Sequence, residues 1–123
     1  MASRVTGVDF VAVPSTDWKR SRAFYVDTLG LRPDETGDSE FWAGGTCFGI
    51  YEPTSFGMEF TAQKTAHIAM HVDDVADARS ALEAKGVAFA GEILDTGVCH
   101  MAFFEDPDGN ALMLHHRYAP RGS

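Results

Sequence analysis

The stretch that decides the fold is EDPDGNALMLHHRY, from Glu105 to Tyr118. Turn-forming residues interrupt an otherwise apolar run in it. Pro107 has a fixed φ that suits the first position of a type I turn, and Gly109 readily adopts the positive φ of a following G1 bulge. The stretch therefore predicts a three-residue hairpin loop that pairs Asp106 with Asn110.

This hairpin fixes the register of the last two strands. Counting outward from the loop gives the opposed pairs Phe103–Met113, Met101–His115 and His100–His116. Opposed residues share a face of the sheet, and the faces alternate along each strand. The neighbouring histidines His115 and His116 are therefore expected to point to opposite sides, so they cannot act as a joint metal-binding pair.

The same order of elements, a strand, a helix and three more strands, is predicted twice along the chain. The first copy has a strand over 8–13, a helix over 18–29, and short strands around 31–33, 40–43 and 47–51, with a hairpin at Gly44 and Gly45. The second copy has a strand over 67–72, a helix capped by Asp73 or Asp74, and strands over 87–94, 98–104 and 111–118. Gly30 and Gly86 follow the two helices, where a C′ glycine is favoured. The pattern predicts one α+β domain over 1–123, with modules at about 5–53 and 66–118 and a linker at about 54–65.

Composition excludes several classes of function. The formal net charge is −8 and the pI is about 4.9, which would repel a nucleic acid. No apolar run is long enough to span a membrane, and the N-terminal residues lack the apolar core of a secretory signal, so a cytoplasmic protein is expected. Cys47 and Cys99 each lie in an apolar run, and buried free thiols are expected.

The segments FYVDTLG and HIAMHVDDVADARSALEAKGV, followed later by DPDGN, resemble the vicinal oxygen chelate superfamily, which is the glyoxalase, bleomycin-resistance and extradiol-dioxygenase group. The resemblance covers about Gly7 to Arg117. It implies two βαβββ modules whose curved mixed sheets enclose a cavity, often across a homodimer. It also implies either small-molecule binding or metal-dependent chemistry.

Metal-dependent members of that family use four ligand positions, which usually hold His, Glu or Gln. The resemblance places the first at Phe10, seven residues before the aspartate that leads into the first helix. It places the second at Gly49, the third at His67, and the fourth at Met113, four residues after the glycine of DPDG. Only His67 suits a hard or borderline cation, so we expect no metal cofactor.

Two enzymatic alternatives stay open. A displaced site at His67 and His115, completed by Glu52, Glu59 or Cys99, would hold Fe, Mn, Ni or Zn in a lyase, isomerase or oxygenase. Alternatively, His67, His115 or Tyr51 would act as an acid or base without a metal. Whether the protein is an enzyme is left open by the sequence.

The main hypothesis is a small-molecule-binding protein of sequestering or resistance type, which we expect to be a homodimer. Its ligand would be apolar or aromatic, and the acidic chain would suit a cationic one. The residues expected to line the pocket are Phe10, Ala12, Tyr51, His67, Met101, Phe103, Met113 and His115.

Overall fold

The computed structural model of the protein describes residues 3–122, so residues 1, 2 and 123 of the predicted domain lie outside the described residues. The chain divides into two compact units, and the boundary between them along the chain lies between Phe60 and Thr61. Each unit contains a strand, a helix and three further strands, and the four strands form one sheet. The predicted α+β fold with two βαβββ modules is confirmed, whereas the exact module boundaries stay predictions.

Unit 1 is built on a mixed sheet with the strand order β1-β4-β3-β2. Its elements are β1 (Val11–Pro14), α1 (Trp18–Ala23), β2 (Arg32–Pro33), β3 (Glu40–Ala43) and β4 (Thr46–Tyr51). β1 runs parallel to β4, and the other neighbours are antiparallel. The hairpin predicted at Gly44 and Gly45 joins β3 to β4, and Gly44 has a φ of 57°.

Two predicted boundaries in unit 1 were wrong. The strand expected over 8–13 begins only at Val11, where its pairing with β4 starts, and Val8 is 74% exposed. The helix expected over 18–29 is α-helical to Ala23 and then becomes a π-helix over Phe24–Thr28. The Leu29 N–H donates to the Phe24 carbonyl at 2.9 Å, which is the wider hydrogen bond of a π turn.

The core of unit 1 is aromatic. The π-helical segment carries Tyr25, which is fully buried and stacks on Phe41 with 4.8 Å between the ring centroids. Phe48 of β4 packs against both of these rings. This face of the sheet is therefore closed by packing, which leaves the opposite face to form a site.

Unit 2 is built on a second mixed sheet with the strand order β5-β8-β7-β6. Its elements are β5 (Ile68–His71), α2 (Val75–Ala84), β6 (Phe89–Asp95), β7 (Cys99–Glu105) and β8 (Ala111–Arg117). Asp74 caps α2 by accepting from the Asp77 N–H at 2.9 Å, so the predicted cap is confirmed at the second of the two aspartates. Among residues 3–122, neither α2 nor any other helix has the length and apolar character needed to cross a membrane.

The hairpin between β7 and β8 has the predicted register. Phe103 pairs with Met113, Met101 with His115 and His100 with His116. Gly109 has a φ of 89°. The buried Asp106 carboxylate accepts from the Asp108 N–H at 2.9 Å, and from the Asn110 N–H and Nδ2 at 3.0 and 2.8 Å. This carboxylate therefore holds the whole loop.

We predict that Asp106→Ala lowers the free energy of unfolding by about 2 to 4 kcal/mol, because it leaves buried donors without an acceptor. Urea denaturation measures the change. Asp9→Ala, in the exposed segment before β1, is the matched control and should stay within about 0.5 kcal/mol of the wild type. Equal stability of the two variants would contradict this account of the loop.

Candidate functional site

One face of the first sheet lines a cavity of about 460 Å³, and we call it the cavity face. Ala12, Gly49 and Glu40 lie side by side on it, on β1, β4 and β3. Phe10, which precedes β1, covers Gly49, since a Cβ added to that glycine would lie 3.6 Å from a ring carbon of Phe10. Tyr51 also lines the cavity. The residues predicted in unit 1, Phe10, Ala12 and Tyr51, therefore lie around one space.

A second cavity of about 440 Å³ shares Ile50, Tyr51 and Phe56 with the first. It extends along the sheet to Trp18 and Glu52. Phe56 is 71% exposed, and its ring centroid lies 6.4 Å from that of Tyr51. Both cavities have the volume of ordinary small-molecule sites, and exposed aromatic rings border them.

The two ligand positions that the family resemblance places in unit 1 hold no donor atom. Phe10 has a hydrocarbon ring, and Gly49 has no side chain. Glu52, the nearest carboxylate to replace them, accepts from the Trp18 N–H at 2.9 Å and so caps α1. The chemistry of this half of the site does not suit a divalent cation.

In unit 2, the predicted residues lie on one face of the second sheet. Met113 lies between Ala69 on β5 and Phe103 on β7. His67, immediately before β5, makes an edge-to-face contact with the Phe103 ring at 5.2 Å between centroids. Met101 lies opposite His115, and this pair is two residues along the strands from the pair Phe103–Met113. A thioether, an aromatic ring and an imidazole are thus adjacent.

The displaced metal site considered as an alternative at His67 and His115 does not have the geometry it requires. The register of β5 and β8 pairs His115 with His71, which lies four residues beyond His67. At the rise of a β-strand, His67 and His115 are about 13 Å apart along the sheet, too far to share an ion. Within residues 3–122, moreover, no group of three or more His, Cys, Asp or Glu side chains could hold a metal ion.

Glu40 also lines the cavity, although it was not among the residues predicted from the sequence. It lies directly opposite Gly49, and the Cys47 thiol donates to it at 3.6 Å. Burial raises the pKa of this thiol, and the neighbouring carboxylate raises it further. The Gly44-Gly45 turn carried the necessary signal, since counting back from it pairs Glu40 with Gly49. Both Cys47 and Cys99 are buried free thiols, as predicted.

Trp42 lies two residues beyond Glu40 on β3, and Asp34 and Arg32 hold its side chain in place. Its indole N–H donates to Asp34 at 2.8 Å, and the Arg32 guanidinium lies 5.7 Å from the ring centroid. Thr36 donates to the same carboxylate through its N–H and its hydroxyl. These hydrogen bonds, the one from Trp42 first, lower the pKa of Asp34 to about 2.

Both the sequence and the fold of this chain are similar to those of known proteins. The family model of the glyoxalase/bleomycin resistance protein/dioxygenase superfamily matches residues 7–114. The uncharacterized protein YaeR of Escherichia coli (strain K12) is 31% identical, over 88% of this chain and 94% of its own. Two similar solved structures come from Sphaerobacter thermophilus and Streptomyces.

The Sphaerobacter thermophilus structure is a member of the same superfamily, with a TM-score of 0.75 and 21% identity over 90% of this chain and 97% of that one. The Streptomyces sp. CB03234 structure is TnmS3, an antibiotic binding protein, with a TM-score of 0.74 and 25% identity over 94% of this chain and 98% of that one.

We predict that Trp42→Phe raises the pKa of Asp34 from about 2 toward 3.8, because it removes the largest stabilising contact of the carboxylate. The folded-state pKa is depressed, so the contribution of this carboxylate to stability is present above the unfolded-state value and is lost as the pH falls through about 2. Carboxyl-carbon NMR titration measures the change. In the control Trp18→Phe, Asp34 should titrate as in the wild type; the same result in Trp42→Phe would contradict the assignment.

Proposed function

Because the chain belongs to the glyoxalase/bleomycin resistance protein/dioxygenase superfamily, we propose that it binds a small aromatic molecule without using a divalent metal. The binding residues of unit 1 are then Phe10, Ala12 and Tyr51, joined by Glu40. The role of the protein is then to sequester such a molecule.

The observation that carries the proposal is the position of the Phe10 ring over Gly49. Of the two positions that would hold donor atoms in a metal-dependent member, one holds this aromatic ring and the other is a glycine without a side chain. Phe10 is 58% exposed, so its ring offers a free surface for another aromatic ring to stack on. Aromatic pairs in offset or edge-to-face contact gain roughly 0.5–1.5 kcal/mol beyond the area they bury.

The charge of the cavity favours a cationic ligand. Glu40 is the charged side chain that lines the cavity of 460 Å³, and no lysine or arginine of the described residues lines it. A cation bound there would gain both from this carboxylate and from the faces of Phe10, Tyr51 and Phe56. An aromatic cation fits both features.

Similarity to an antibiotic binding protein supports the same class of function. TnmS3 binds an antibiotic by a fold that this chain shares, at 25% identity. We infer a sequestering or resistance-type role for this chain, in a homodimer of the 13.4 kDa subunit. Light scattering that gives one subunit at micromolar concentration would contradict the dimer.

Paired dyes test the ligand class. Nile blue is cationic, and Nile red is a neutral dye with a similar ring system. We expect Glu40→Gln to weaken Nile blue binding by roughly three- to tenfold and to change Nile red binding by less than about twofold. Glu35→Gln, at an exposed carboxylate of the same unit, is the control. Equal losses for both dyes, or an equal loss in the control, would contradict a role for Glu40.

The aromatic surface is tested with the same dyes. Phe10→Ala should weaken both dyes by about tenfold, since it removes a stacking surface and apolar area. Val5→Ala, at a 76% exposed residue of the preceding segment, should leave both affinities unchanged. Binding that survives Phe10→Ala at full strength would place the ligand elsewhere.

Metal analysis tests the proposal that the protein binds its ligand without a divalent metal. Purified wild-type protein should contain Fe, Mn, Ni and Zn at well below one ion per chain by mass spectrometry, and a chelator should leave dye binding intact. A stoichiometric metal that is lost in His67→Ala, but kept in the exposed control His71→Ala, would overturn the metal-free function.

A further inference from the structure

Unit 2 contains a third cavity, on the opposite side of its sheet from Met113 and His115. It has a volume of about 370 Å³ and lies where α2 begins. Its polar lining comes from Asp73, Asp74, His100, His116 and Tyr118. The buried Val75 and the partly buried Ile93 supply an apolar wall. The proposed function uses none of these residues.

The hydrogen bonds around this cavity engage its protons and leave hydrogen-bond acceptors available to a ligand. The His116 Nδ1 lies 3.1 Å from the Val72 carbonyl oxygen, which can only accept. Nδ1 therefore carries the proton in the neutral ring, and Nε2 is left as an acceptor. The Tyr118 hydroxyl donates to Asp95 at 2.8 Å, so its proton is also engaged.

The charge of the cavity is negative. Asp73 and Asp74 line it, and Asp95 lies directly behind Tyr118 and 3.4 Å from the His100 Nε2. The Gly97 N–H and then the Tyr118 hydroxyl lower the pKa of Asp95, while that same contact with Asp95 raises the pKa of Tyr118. At neutral pH Asp95 is therefore ionised and Tyr118 keeps its proton. Within the described residues, no lysine or arginine lines the cavity.

Two rings complete the site. The His100 and Tyr118 rings lie 4.9 Å apart between centroids, at an interplanar angle of 41°. An organic cation that contacts the tyrosine face would be attracted to its π electrons and to the carboxylates beside it. Acceptors, carboxylates, an aromatic face and an apolar wall are the features that recognise a protonated amine attached to a small apolar group.

We propose that this cavity is a second binding site, selective for a small organic ammonium ion. The ammonium group donates to the His116 Nε2 and lies near Asp73 and the Tyr118 ring, and its apolar part contacts Val75 and Ile93. The site lies within unit 2 and, among the described residues, shares no lining residue with the cavity face of unit 1.

Histidine NMR provides a site-resolved test, because the chain has only five histidines. The probe is benzylamine, and the matched neutral compound is benzyl alcohol. We expect benzylamine to shift the ring signals of His100 and His116 saturably, and benzyl alcohol to bind at least about fivefold more weakly. Equal affinities for the two compounds, shifts that do not saturate, or a response confined to His67 and His115 would overturn the proposal.

Variants of the lining residues test whether benzylamine binds in the third cavity. Asp73→Asn should weaken benzylamine roughly two- to fivefold, and it removes an exposed charge whose loss should not unfold the chain. Glu83→Gln removes the same charge near the other end of α2 and should have no effect. Tyr118→Leu should weaken benzylamine further by removing the ring. Unchanged affinity in both Asp73→Asn and Tyr118→Leu would overturn the site, and Nile blue binding in these variants reports separately on unit 1.

Discussion

The carboxylate of Asp106 is the constraint on which the second unit depends. It accepts three hydrogen bonds inside a loop of three residues and thereby fixes how β7 and β8 pair. A slip of one residue would exchange the two faces of β8. Met113 and His115 would then move to the side of α2, and His116 would leave the third cavity. Both faces of unit 2 thus depend on one buried anion.

In unit 1 a glycine turn has the equivalent role. The Gly44-Gly45 hairpin sets Glu40 opposite Gly49, and the Phe10 ring lies over Gly49. An aromatic ring and a carboxylate therefore border one cavity. The third cavity, in unit 2, combines the same features at Tyr118 and Asp73. The net charge of −8 would attract a cation to either place through the overall field of the chain as well as through these side chains.

Among the residues that the structure describes, neither sheet presents a set of donor atoms that would suit a divalent ion. A divalent ion needs several nitrogen or oxygen donors within about 2 to 2.5 Å, and their geometry must be held by neighbouring groups. In unit 1 the candidate carboxylate Glu52 is already engaged at the start of α1. In unit 2 the two imidazoles, His67 and His115, lie at different levels of the sheet. Stacking and hydrogen bonding are what these surfaces offer a ligand.

The sequence by itself determined the two-module fold, the hairpin register and the separation of His115 from His116, because turn chemistry and strand alternation are local. Only the tertiary structure decided that His115 is level with His71 and not with His67, since the parallel pairing of β5 with β8 joins strands distant in the chain. The tertiary structure likewise assembled the third cavity, whose residues come from the segment before α2, from α2, from three strands and from the segment after β8. No local sequence pattern predicts that these residues lie together, because packing between separate elements brings them into one place.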